Sequence, residues 1–395
     1  MLRFTTAGES HGPALVSILE GMVAGLPLLA ADVDVELARR QQGYGRGRRM
    51  KIESDQAEFL SGVRAGETLG SPIAMLIHNR DWKNWQEIMD PAPRDTDPEL
   101  KRAVTRPRPG HVDLSGMLKY DRDDARDVLE RASARETTAR VAAGAICRRF
   151  LREFGIAVGS HVVHLGGVDA KRPQTMPAEL NASADASPLR TLDGGAEKEM
   201  IARIDAAKAD GNTLGGIAEV ICDGVPVGLG SHVSWDRKLD GRLAAAIMSI
   251  PAVKAVEIGL GVESARRKGS DVHDEIDPDE RNAKAGGVRR RTNRAGGMEG
   301  GVTNGEQIIV RAAMKPISTL MRPLGTIEMK TREPAQAVAE RSDVTAVPAM
   351  GVIAEAMTAF VVAQAVLEKF GGDSLGETRR NYDNYIQLLS GRKGR

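Results

Sequence analysis

Two short stretches put groups able to move protons beside glycine. "TTAGESHG", residues 5–12, sets Glu9, Ser10 and His11 between Gly8 and Gly12. "TRPRPGH", residues 105–111, runs through Pro107 and Pro109 to Gly110 and His111. Prolines stiffen the approach and the glycine lets the backbone turn, a good way to aim an imidazole. Histidine titrates near working pH, so both rings are candidate general acids or bases. The Ser10–His11 spacing does not specify a serine-hydrolase triad. None of the seven histidines forms H-E-x-x-H, so no metal site is expected.

Arginines gather in the same regions. In "RRQQGYGRGRRM" (39–50), Arg40 stands at the end of a helical stretch and Arg46, Arg48 and Arg49 belong to a glycine-rich loop, where backbone can approach a ligand closely. "RASARETTARVAAGA" (131–145) places Arg131 and Arg135 four residues apart, hence on one face of a helix. Such clusters suit phosphate and carboxylate groups, which the planar guanidinium grips bidentately. The alternative is a solvated basic face, with Glu130 or Glu136 neutralising its neighbours. "GGMEGGVTNG" (296–305), with five glycines in ten residues, and "MKPIST" (314–319) offer backbone N–H groups and hydroxyls to an anion.

The chain that must position these groups has 395 residues, 41% of them hydrophobic and 28% charged, as expected of a soluble globular protein. Its 55 basic and 54 acidic residues nearly cancel, and aromatics reach only 3%. Both facts argue against reading "RRQQGYGRGRR" as a nucleic-acid-binding arm. Cys147 and Cys222 lack metal-ligand spacing and read as buried, reduced thiols. Met1 to Phe4 lead directly into the polar motif, so a leader is not expected and the cytoplasm is the expected compartment. The apolar run Val347 to Phe370 carries Glu355, Gln364 and Glu368 and stops at Gly371, so it reads as a core helix rather than a membrane span.

Helical spacing is expected over 31–41, burying Val33, Val35 and Leu37, and over 123–153 as one long helix. Strands are expected at 70–78, 158–168, 217–222 and 306–314. Segments 169–197 and 262–295 read as surface or mobile loops. No repeat, P-loop or strand–G-x-G-x-x-G–helix unit is present. The irregular alternation favours α+β, a layered β-α-β arrangement in a single large domain (1–395).

Taken together the blocks "TTAGESHG", "RRQQGYGRGRRM", "TRPRPGHVDLSGMLKY", "RASARETTARVAAGA", "NRAGGMEGGVTNG", "MKPIST" and "RSDVTAVPA" resemble the chorismate synthase family, in the family's order and over nearly the full length. The resemblance implies a β-α-β sandwich, a homotetramer, and a small-molecule substrate with neither nucleic acid nor membrane as partner. It implies elimination of phosphate from 5-enolpyruvylshikimate 3-phosphate to give chorismate, with reduced FMN and no net redox change. It casts His111 as the group that protonates the flavin and His11 as the one that protonates the departing phosphate. Ser10 and Asp343 become a proton relay. Arg40, Arg46, Arg49 and Arg135 become the substrate's anion contacts, with Arg40 and Arg46 alternatively serving NADPH. The FMN contacts fall on Arg131, Ala132, Ser133, Pro251, Ala252, Gly300, Lys315, Pro316, Ile317, Ser318, Thr319 and Arg341. A flavin-dependent oxidoreductase with net hydride transfer shares the cofactor and is separated only by this resemblance.

Overall fold

The computed structural model describes residues 1–47, 54–93, 102–338 and 343–391. Two antiparallel sheets enclose a helical layer. The first sheet runs Arg3–Ala7, Ala14–Glu20, Ile73–His78, Glu58–Phe59 in space. The second runs Val253–Ile258, Ile308–Met314, Gly216–Asp223, Ala157–Leu165, Val168–Asp169. Between them lie α1 (Ala30–Gln41), α4 (Thr137–Arg152) and α8 (Val347–Phe370). The helix α4 packs on the Ala14–Glu20 strand, and α8 packs on Ala157–Leu165 and Gly216–Asp223. The expected layered α+β sandwich is what the chain forms.

The central contact is α4 against α8, and sequence explains its closeness. A Cβ added at Gly144 would stand 2.4 Å from Ala356 Cβ, so only glycine lets the two backbones meet here. Nineteen residues of α8 are buried, and 83% of its most apolar window lies inside the protein, which supports the core-helix reading. Glu355 is the exception among its apolar neighbours. It is fully buried and accepts from Arg39 (2.9 and 3.0 Å), Arg190 (2.8 Å), Ser160 (2.6 Å) and Arg148. Burial alone would raise its pKa, but the three guanidinium charges hold it far below the usual carboxylate range.

Several expectations need correction. The 123–153 stretch is not one helix but α3 (Arg126–Ala132), a 3-10 turn (Ala134–Glu136) and α4. Ser133 breaks it: its backbone is extended (ψ 147°), and its hydroxyl caps the new start by accepting from the Arg135 N–H. Arg131 and Arg135 therefore do not share a helix face. Val35 is 52% exposed while Val33 and Leu37, four apart, are buried. The 158–168 strand is a hairpin, turned at Gly166 and Gly167 with φ of 60° and 86°. The 169–197 segment is no plain surface loop. It contains α5 (Leu180–Asp185) and the start of α6 (Gly194–Ala209), and it buries Leu189 and Arg190. Its Pro, Asp and Ser content hid this, because the anchor is tertiary: Arg190 reaches Glu355. Residues 262–295 hold short 3-10 turns and a hairpin of Ile276–Pro278 with Val288–Arg290, mostly at the surface. Both cysteines are buried, free thiols.

A second, small core matters for the site. The helices α2 (Asp113–Tyr120) and α3 pack together through Val104, Met117 and Ala125, with Val128, Leu129 and Met329 against them. A Cβ at Gly116 would lie 2.3 Å from Val128 Cγ1, so this hairpin too closes on a glycine. The later helices α7 (Leu239–Met248) and α9 (Leu375–Ser390) flank α8.

Candidate functional site

The "GESHG" turn joins the first two strands of the first sheet. Gly8 has φ +107°, and a Cβ there would meet the Ala14 carbonyl oxygen at 2.4 Å. The turn is held from outside by α3. Ser10 N–H donates to the Glu130 carbonyl at 2.9 Å, and His11 N–H donates to Glu130 Oε2 at 2.9 Å. His11 Nδ1 lies 2.9 Å from both Glu130 carboxylate oxygens, and Arg126 donates to Oε1 at 2.8 Å. Burial would raise the Glu130 pKa, but the hydrogen bonds and charge of its neighbours hold it below the ordinary value. Trp85 stacks on the His11 ring, centroids 3.8 Å apart and planes 25° apart. Arg102 and Arg126 lie over the Trp85 ring at 4.7 and 5.2 Å. Ser133 Oγ donates to the buried Ser10 hydroxyl at 3.1 Å. Arg131, at the end of α3 before Ala132, reaches back to the Thr6 carbonyl (2.9 Å) and Gly8 carbonyl (3.2 Å).

A chain of bonds leads from this turn to the arginines. Asn79 donates to the Gly12 carbonyl at 2.6 Å and accepts from Arg135 Nε at 2.9 Å. Arg135 Nη1 grips Asp55 at 2.6 and 2.7 Å, and Arg40 Nη2 donates to the same carboxylate at 3.0 Å. Arg40 is buried, and its Nε has no acceptor among the described residues. Its pKa is pushed down to about 10 by burial and by the charges of Arg46 and Arg135, against the pull of Asp55. Arg46 Nε stands 3.0 Å from Asp343 Oδ2, and Gly47 N–H donates to Asp343 Oδ1 at 2.6 Å. Arg46 and Arg135 thus each sit near enough to repel Arg40, with Asp55 and Asp343 holding the three.

The second histidine sits in its own arrangement. His111 Nδ1 is 2.5 Å from Asp113 Oδ1, and Arg108 donates to Asp113 through Nε at 2.8 Å and Nη2 at 3.1 Å. Burial opposes ionisation of Asp113, yet the bonds from His111 and Arg108 hold its carboxyl far below the usual range. This loop docks on the 315–319 segment. Arg108 donates to Thr319 Oγ1 at 3.0 Å, and Lys315 Nζ donates to the Gly110 carbonyl. Thr213 Oγ1 donates to the Ile317 carbonyl at 2.7 Å, and Lys315 N–H donates to the Ala252 carbonyl at 3.0 Å. Pro251 and Ala252 are thereby joined to Lys315, Pro316, Ile317, Ser318 and Thr319. Ala252 holds φ +67°, unusual for a residue with a Cβ. Gly300 turns with φ +61°, and nothing lies within 4 Å of where its Cβ would be. Arg49 and Arg341 lie outside the described residues.

Sequence reading found both histidines, Ser10 and the arginines, and it named Glu130 only as a neutraliser of neighbouring charge, which its pairing with Arg126 bears out; it did not find Glu130 as the partner of His11, nor Asp55, Asn79 or Trp85. Asp113 was in plain view, two residues past His111. The others had no local signal: Glu130 is 119 residues from His11, and Asp55 is 80 from Arg135.

The chorismate synthase family model matches residues 2–367. A relative named chorismate synthase in Pelobacter propionicus is 60% identical over 392 residues, covering 98% of this chain and 99% of that one. Another in Geobacter sulfurreducens is 57% identical over 392 residues with the same coverage, and one in Mycolicibacterium smegmatis is 56% identical over 401 residues, covering 100% of this chain and 98% of that one. A crystal structure of chorismate synthase is similar with a TM-score of 0.79 at 44% identity, covering 98% of each chain. With the two histidine turns, the shared arginine cluster and the layered fold all in place, the chain belongs to the chorismate synthase family and is accordingly a lyase of aromatic amino acid biosynthesis.

Proposed function

We propose that the chain catalyses the anti-1,4-elimination of phosphate from 5-enolpyruvylshikimate 3-phosphate, giving chorismate, the last common step of the shikimate pathway. The observation that carries this reading is the bonded chain from His11's turn through Asn79 to Arg135, Asp55 and Arg40. It ties a proton donor to a cationic cluster, as loss of phosphate from a polyanion requires. Arg40, Arg46 and Arg135, with Arg49 from the same loop, hold the phosphate and the two carboxylates. In a site shielded from water each such contact strengthens. His11 gives a proton to the departing phosphate oxygen. His111 is the second acid. Ser10 and Asp343 act together to relay the ring proton, since a serine hydroxyl is too weak a base alone.

The residues fit a bound FMN. A Cβ at Gly300 would meet nothing within 4 Å, and Lys315 to Thr319 meet Ala252 and the His111 loop in one place. Arg131, Ala132, Ser133, Pro251 and Arg341 complete the proposed contacts. The chemistry that reduced FMN would supply, if held by these residues, is a transient electron for the breaking C–O bond with no net redox change. Arg40 and Arg46 alternatively serve NADPH, and the assay below separates the two. A homotetramer in the cytoplasm is part of the same proposal.

The test is anaerobic turnover with photoreduced FMN, set beside NADPH plus oxidised FMN. Chorismate and phosphate should form one for one with the flavin unconsumed. Stoichiometric flavin oxidation would instead make the chain an oxidoreductase with net hydride transfer. Product with NADPH and oxidised FMN alone would show that the chain reduces its own flavin. Light scattering on the purified chain reads the oligomer.

A further inference from the structure

The two histidines sit far apart in sequence, yet their surroundings repeat. Each ring meets a buried carboxylate through Nδ1: His11 with Glu130, and His111 with Asp113. Each carboxylate is in turn paired with an arginine four or five residues before it, Arg126 and Arg108. Both carboxylates belong to the α2–α3 hairpin. Asp113 opens α2 and Glu130 lies in the last turn of α3.

We propose that Glu130 and Asp113 are positioning residues that fix the tautomer of His11 and His111, so that each ring gives up its proton from Nε2 alone. The inference rests on the reading of both histidines as acids. An ionised carboxylate offers only acceptor sites, so the ring nitrogen facing it must carry hydrogen. Both carboxylates are held in the ionised form by their arginines and histidines. The Nδ1 proton therefore stays in place before and after the acid step, and the proton that leaves is the one on Nε2. Arg108 Nη2 also lies 3.2 Å from His111 Nδ1, but the 2.5 Å contact to Asp113 is far shorter, and Nη2 has Asp113 Oδ1 as an acceptor at 3.1 Å. The acceptor at Nδ1 is the carboxylate.

For His11 the orientation is fixed in two further ways. Glu130 also binds the His11 backbone N–H, so ring and backbone share one anchor. Trp85 covers a face of the ring, and its own Nε1–H is tied to Asp81 at 2.9 Å. The imidazole cannot flip without breaking the bidentate contact and the stack together. A glutamine at 130 keeps the shape, but its amide group can donate to Nδ1 and so stabilise the wrong tautomer.

The experiment uses the full chain with reduced FMN. Glu130→Gln should lower kcat by roughly 10²-fold or more while KM changes by less than about three-fold, the pattern of a tautomer-holding acid lost from a histidine pair. In a His11→Ala background the same substitution should cost little further, because Glu130 acts through His11. Asp113→Asn should behave likewise toward His111→Ala. Nitrogen-15 spectra of the histidine-labelled chain without substrate supply a reading independent of turnover. The resonances lost in His11→Ala should show the neutral ring protonated at Nδ1, and in Glu130→Gln they should move to the Nε2–H pattern. An Nε2–H ring in the unsubstituted protein, or losses that multiply in the double variant, would overturn the proposal. If His11→Ala turns over normally, the acid reading is what fails, and the spectra alone then judge the positioning role. If Glu130→Gln does not fold, the spectrum of the unsubstituted chain decides.

Discussion

Asp55→Asn isolates the charge that holds the arginine cluster together. The Asp55 side chain is 1% exposed and takes three guanidinium contacts at 2.6, 2.7 and 3.0 Å, two from Arg135 and one from Arg40. Asparagine fills the same space but removes the carboxylate that both arginines grip, leaving them facing a neutral amide. Breaking a buried ion pair from one side costs about 3–5 kcal/mol. No solvent screening reduces that figure, since both arginines are also buried. With a urea slope of about 3 kcal/mol per molar, the unfolding midpoint should fall by roughly 1–1.7 M. A second consequence follows from sign. The freed cations should welcome an anion, so inorganic phosphate should raise the midpoint of the variant more than that of the unsubstituted chain, by linkage. Urea titrations at one protein concentration, with and without phosphate, read both. A midpoint within about 0.3 M of the unsubstituted chain, or no gain with phosphate, would mean that Asp55 is not what balances Arg40 and Arg135.

Arg46→Ala removes a guanidinium of the same cluster and should raise the substrate Kd by about ten-fold or more, read by calorimetry with FMN present. Gly116→Ala should drive α2 and α3 apart, because its Cβ would fall 2.3 Å from Val128 Cγ1; a loss of about 1–3 kcal/mol is expected, together with slower turnover, and Val128→Ala in addition should restore both. Glu355 has a folded pKa held well below its unfolded value, so its contribution is full above the ordinary carboxylate range and is lost as pH falls through that range and below. Urea midpoints of the native chain should therefore drop between about pH 5 and 3, and Glu355→Gln should be less stable at pH 7 but flatter across that interval.

What the sequence by itself determined is local. Proline and glycine spacing marked both histidine turns, because those residues act on their own φ and ψ. The apolar run to Phe370 and its glycine stop marked α8 to the residue, because periodicity and length need no partner. The arginine clusters were visible as charge, and the motif set carried the family. The tertiary structure decided which charge meets which. Ser133 splits an apparently continuous helix because Arg131 is drawn to Thr6 and Arg135 to Asp55, in different directions. Arg190 is buried in a segment of otherwise polar composition because Glu355, on a helix far along the chain, draws it in. Glu130 and Asp55 read as ordinary acids until folding removes water from around them and brings a histidine or two arginines within 3 Å. Ion pairing in a buried site depends on distance and desolvation, and a linear sequence fixes neither until the layers have closed.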